Sequence, residues 1–158
     1  MSRSHLRHPH RIARRLLLSW LSTFALVPWL PRRAVAADRA GFRIVAHPSN
    51  GSSRLSREFL TRAFLKKVTR WGDGEAIRPV DLPPGSGTRR AFSESVLNRS
   101  VAAVRAYWQQ RIFSGRDVPP PELASDDEVL SYVRKTPGAI GYVSAAASTA
   151  EVRVIEPD

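Results

Sequence analysis

Past residue 40, apolar positions come in short bursts whose spacing switches from two to three-and-four and back. In "GFRIVAHPSNGSS", Phe42, Ile44 and Ala46 alternate with Arg43 and Val45, which predicts a short strand ended by the Pro-Ser-Asn-Gly-Ser-Ser loop. "LSREFLTRAFLKKVTRW" puts Phe59, Leu60, Ala63, Phe64 and Val68 on one helical face, with Arg57, Arg62 and Lys66 mainly outside it. Ser56 is the expected N-cap, Leu55 and Leu60 form a hydrophobic staple, and "WGDG" stops the helix. "AIRPVDL" reads as a strand in which Pro79, lacking an N–H, suits an edge or a strand's end.

A Gly-Ser-Gly-Thr loop follows, then a short helix carrying Phe92 and Val96 four residues apart. The next helix begins at Ser100, turns Val101, Val104, Trp108 and Ile112 inward, and closes at Gly115. "DVPPPEL" reads as a surface connection stiffened by its prolines. "SDDEVLSYVRKTPG" carries the fullest helix signal: Ser125 and Glu128 fit a capping box, Asp126 and Asp127 favour the positive helix end, and Pro137-Gly138 ends it. "AIGYV" and "VRVIE" are short strands. Strands alternating with helices predict a layered α/β domain.

Charge changes the picture less than its total suggests. The chain of 158 residues carries a formal charge of +11. Seven arginines lie within residues 1–36, which hold no acid; without them 18 basic residues face 14 acidic ones, a net of +4. That opening reads as an export signal: "MSRSHLRHPHRIARR" precedes the apolar "LLLSWLSTFALVPWL", and Ala34-Val35-Ala36 offers small residues at cleavage spacing. The apolar run falls short of the roughly 20 residues of a membrane-spanning helix. Removal after Ala36 is expected, an uncleaved anchor is the rival, and Arg14-Arg15 leaves Sec and twin-arginine export both open. Residues 37–158 would then form one exported domain, which places the protein in the periplasm.

Candidate chemistry is sparse. There is no cysteine, so thiolate catalysis, disulfides and sulfur metal sites are excluded. Beyond the leader, His47 is the one histidine, and nothing in the sequence sets it beside Ser86 as a triad. No metal site, cofactor or enzymatic activity is expected. Arg62, Lys66, Lys67 and Arg70 lack the aromatic platform of a nucleic-acid surface and read as a solvated face, so no nucleic-acid partner is expected.

"DLPPGSGTRRAF" is the stretch with chemistry to offer. A helix start presents unpaired N–H groups and partial positive charge to an anion, and Gly85 and Gly87 let a ligand approach the backbone. Ser86 and Thr88 add hydroxyl donors, and Arg89 and Arg90 could neutralise the anion. The same hydroxyls could equally do no more than cap the helix, and the arginines could be merely solvated. The nucleotide P-loop is excluded because no lysine follows the glycine, and Arg90 stands where the dinucleotide fingerprint needs glycine.

Taken in order, "LSREFLTRAFLKKVTRWGDG", "GSGTRRAF", Trp108 and "VRKTPGAIGYV" resemble the periplasmic phosphate-binding protein of the bacterial phosphate ABC transporter, over roughly Leu55 to Val143. The resemblance implies a single lobe of a periplasmic binding protein-like α/β fold, a short mixed sheet flanked by helices in half-length form. It also implies that Ser86, Gly87 and Thr88 grip phosphate or a similar oxyanion. Leu82 and Pro84 occupy the positions of that family's arginine and aspartate. Ser52 and Ser53 are expected to line the same mouth from the first strand's loop. A solute-binding module would pair with a transporter permease; the alternative on the same fold is a ligand-free interaction module, partnered by another envelope protein or by itself as a homodimer.

Overall fold

The computed structural model describes residues 41–158, so the expected export leader lies outside the described residues. The elements run β1 (Phe42–Ala46), β2 (Arg54–Leu55), α1 (Arg57–Phe64), β3 (Arg78–Pro79), α2 (Gly87–Ser95), α3 (Val101–Phe113), α4 (Asp126–Lys135), β4 (Ala139–Ser144) and β5 (Arg153–Pro157). The strands form one mixed sheet in the order β2-β5-β1-β4-β3. β1 lies at its centre, antiparallel to β4 and β5, while β3 runs parallel to β4 and β2 parallel to β5. This is the expected α/β layering with a short mixed sheet.

Successive residues of β4 face opposite layers. On one side Gly141 leaves room for Val129 and Val133 of α4, whose side chains a Cβ would meet. On the other, Tyr142 stacks on Phe92 of α2 with ring centroids 4.0 Å apart, and Phe64 and Phe42 close around the same ring pair. Pro79 sits on the edge strand as its chemistry requires: Arg78 and Val80 donate to Gly138 and Ile140, leaving proline on the open side.

Two expectations need correction. α1 does not continue to "WGDG" but ends at Phe64. Lys66, at φ 52°, takes the left-handed position of a Schellman turn, with Lys67 N–H on Arg62 O and its own N–H on Ala63 O. Its ammonium is then pinned by Asp117 and the Val118 carbonyl, so it is not part of a solvated basic face. Secondly, Ile112 is half exposed and not part of an inward stripe. "DVPPPEL" is a largely exposed connection that is also tied down: Asp81 N–H donates to Pro121 O and Leu123 N–H to Asp81 O, alongside the end of β3.

Candidate functional site

α2 begins where the two prolines and Gly85 turn the chain away from the sheet edge. Ser86 has extended backbone angles and its Oγ accepts from Arg89 N–H, so it caps the helix as its residue type favours. Ser86 N–H is spent on Pro83 O, and Arg90 N–H on Ser86 O. The N–H groups of Gly87 and Thr88 have no acceptor among the described residues. Gly85 and Gly87 are exposed, and a Cβ on either would meet nothing within 4 Å. The first turn holds no acid. Two unspent donors therefore lie at the positive end of a nine-residue helix, Gly87 exposed and Thr88 partly so.

Arg89 is placed differently from its neighbours. It is only 4% exposed, on the inward face that also carries Phe92 and Ser93. Its Nη2 lies 3.0 Å from Asp81 Oδ2, and its Nη1 donates to Glu122 Oε1 and to the Leu82 carbonyl. Tyr142 O–H donates to the other Asp81 oxygen, which also accepts Leu82 N–H at 2.9 Å. Among the described residues, Arg89 Nε is buried without a partner. The guanidinium is thus neither solvated nor free for an anion; it already balances two carboxylates. Arg90, one residue on, is exposed.

One cation lies among two acids, and burial, more than this imbalance, sets how the Asp81 carboxyl ionises. Burial pushes the Asp81 carboxyl above its ordinary value of 3.8, with Glu122 adding to the rise and Arg89 pulling the other way. Burial and the neighbouring Asp81 carboxylate likewise raise Tyr142. Because the native state holds the Asp81 proton to higher pH than the unfolded chain, Asp81 contributes its full stability below pH 3.8 and loses it as pH rises through the native value. Urea unfolding between pH 4 and 7 should show the wild type losing ground relative to Asp81→Asn as pH rises. A difference constant across that range would contradict the raised value.

The remaining candidates lie elsewhere. Ser53 O accepts Glu156 N–H at the β2 edge, and Ser52 N–H donates to Asn50 Oδ1. β3, which leads to Ser86, forms the opposite edge, four strand spacings or about 19 Å along the sheet. The structure brings Ser86, Gly87 and Thr88 together but does not bring Ser52 and Ser53 to them. Two surface clefts of about 470 and 390 Å³ border Ala150–Val152, and neither takes in the α2 start. Among the described residues no group of His, Asp and Glu could hold a metal ion. Sequence reasoning missed Asp81, Glu122 and Tyr142. The available signal was Arg89 itself, three residues before Phe92 and seven before Val96, on the inward face of the helix.

Comparisons with known proteins bear on the fold. A family model described as PBP superfamily domain matches residues 33–154. No curated protein matches. Among solved structures, an ABC-type phosphate transport receptor from Vibrio cholerae aligns with a TM-score of 0.58 at 22% identity, covering 74% of this chain and 46% of that one. A putative phosphate ABC transporter substrate-binding protein from Clostridium perfringens, with bound phosphate, gives 0.57 at 24% identity, covering 75% and 45%. PstS from Borrelia burgdorferi gives 0.59 at 14% identity, covering 75% and 47%. The chain spans just under half the length of these solved relatives.

Proposed function

This chain belongs to the PBP superfamily domain family, and from that premise we propose that it is an exported, non-enzymatic solute-binding module for phosphate or a similar oxyanion. The single observation that carries the reading is the pair of unspent N–H groups on Gly87 and Thr88, at an exposed helix start free of acids. An oxyanion there would accept both amides, gain the Thr88 hydroxyl, and meet the helix's positive end. The solved relatives named as phosphate receptors support phosphate as the first ligand to test. Arg90, exposed beside the turn, supplies the nearest solvent-facing positive charge in sequence. The periplasm, and a transporter permease as partner, follow as parts of the same proposal.

Isothermal titration of inorganic phosphate into residues 37–158 tests it. Binding is expected to be weak, because one open surface cannot enclose the anion. Thr88→Ala should weaken binding about tenfold, the worth of one hydrogen bond to a charged group. Binding undiminished in Thr88→Ala, or no heat at millimolar phosphate, would remove this reading. The ligand-free interaction module is favoured by one specific observation: Arg89, the buried arginine of the turn, is already balanced by Asp81 and Glu122.

A further inference from the structure

Three of the four large apolar side chains exposed among the described residues lie together at the end of α3: Ile112 at 50%, Phe113 at 90% and Val118 at 60%. Gly115, at φ 66°, and the bond from Arg116 N–H to Arg111 O fold the chain back at that tip. The end of α1 is fastened beside it. Tyr107 O–H donates to Leu65 O at 3.0 Å, and Lys66 Nζ donates to Val118 O at 2.9 Å. Charge around this corner is one-sided. Residues 57–70 and 99–118, which those bonds join, hold nine basic and two acidic residues, a net of +7. The rest of residues 37–158 holds nine basic and twelve acidic residues, a net of −3. Arg62, Lys67, Arg105 and Arg116 are exposed, and Asp117 is already paired with Lys66 at 3.4 Å. Arg105 precedes Ile112 by two helical turns, on the same line along α3.

We infer that this corner docks the protein on an anionic lipid surface, with Phe113, Ile112 and Val118 entering the headgroup layer and the surrounding basic residues resting on lipid phosphates. Charge complementarity names the occupant: a positive corner on a chain otherwise slightly negative is drawn to a negatively charged sheet of headgroups. The apolar tip separates lipid from a soluble polyanion. A polyanion would engage the arginines and leave Phe113 in water, whereas a membrane takes up both. A fluid surface also needs no cleft to receive it, and the two clefts described above border Ala150–Val152 instead. Arginine suits the rim, because its stem can lie along acyl carbon while its guanidinium stays among the phosphates. The acidic first turn of α4, Asp126–Glu128, belongs to the opposite layer of the sheet, so the docked protein turns its negative side away. Three side chains and a few charges make a reversible, salt-sensitive contact, not an anchor.

Vesicle flotation of residues 37–158 tests it; they contain every described element and omit the apolar leader, which could bind lipid by itself. Vesicles of phosphatidylglycerol and phosphatidylcholine in equal parts should carry the protein up at low salt. Pure phosphatidylcholine, or about 0.5 M salt, should weaken binding tenfold or more. Phe113→Ser should weaken it about tenfold, the worth of burying much of that ring. Arg116→Gln should weaken it about fivefold, the worth of one basic residue near such a surface. Lys135→Gln makes the same charge change on α4, in the opposite layer, and should alter binding less than about twofold, its charge being shielded at that distance. All three side chains are exposed, so the fold is not at risk. Phe113→Trp gives a direct readout: Trp71 and Trp108 are buried, and the new indole should shift its emission to the blue on anionic vesicles. No flotation with phosphatidylglycerol, full binding by Phe113→Ser, equal losses in Arg116→Gln and Lys135→Gln, or an unshifted emission would each overturn the inference. Oligothymidylate bound as tightly as the vesicles would hand the corner to nucleic acid and overturn it too.

Discussion

Replacing Arg89 with methionine is expected to destabilise the fold by roughly 3–5 kcal/mol, as when one partner of a buried ion pair is removed and the other stays charged. Methionine fits the inward face beside Phe92, so the loss comes from what the guanidinium leaves behind. Asp81 is mostly buried and would keep only Tyr142 O–H and Leu82 N–H as partners. Glu122, whose side chain is 46% exposed, can turn to water and should matter less. Two controls separate this cause from loss of packing. Adding Asp81→Asn to Arg89→Met removes the stranded charge and should recover much of the stability. Lowering the pH toward 4 should narrow the deficit of the single variant, because Asp81 already ionises late. Urea unfolding of the three proteins at pH 7 and pH 4 measures all of this. A loss under about 1 kcal/mol for Arg89→Met would mean that the pairing adds no more than a surface salt bridge.

Gly138→Ala is expected to be similarly severe, about 3 kcal/mol or more, because strain and a backbone clash coincide. Gly138 has φ 74°, and a Cβ there would sit 2.1 Å from the Ala76 carbonyl oxygen. That contact is with backbone, so no side chain can swing aside. The residue is also a junction: its carbonyl accepts both the Trp71 indole N–H at 3.0 Å and Arg78 N–H at 3.0 Å. Displacing it would loosen the end of α4, the Trp71 turn and the β3–β4 ladder together. Gly72→Ala, with no neighbour within 4 Å and no positive φ, is the control and should change little. Thermal melts of the two variants compare them directly, and equal melting temperatures would refute the account of Gly138.

Much of the fold was legible because its signals are local. Ser56, Ser86, Ser100 and Ser125 each accept an N–H three residues on, a bond closed within one turn. The capping box at Ser125 differs in one detail: Glu128 reaches back to Ala124 N–H. Two of the three inner strands, β1 and β4, were legible for another reason. Ile44, Val45 and Ala46, with Ile140, Tyr142 and Val143, are apolar on both faces because helices cover both. At the candidate site, Gly-Ser-Gly-Thr announced a capped helix start, and the unspent amides follow from helix geometry alone.

What was not legible depends on residues far apart in sequence. Lys66 stops α1 early by taking a left-handed turn that its type disfavours, and its ammonium is then held by Asp117 and Val118, 51 and 52 residues on. Ile112 shares the periodicity of Val104 and Trp108, yet it is 50% exposed while they are buried.

The sequence by itself determined where helices begin, which strands are buried, and that the helix start at Gly87 and Thr88 presents free amides, because capping, periodicity and glycine placement act within a few residues. Only the tertiary structure decided the fate of Arg89 and the separation of Ser52 and Ser53 from Ser86. Pairing the proline segment beside β3 carries Glu122 to the guanidinium, and the strand order sends the serines to opposite edges. Both are consequences of which strands meet, a choice made by the packed sheet as a whole.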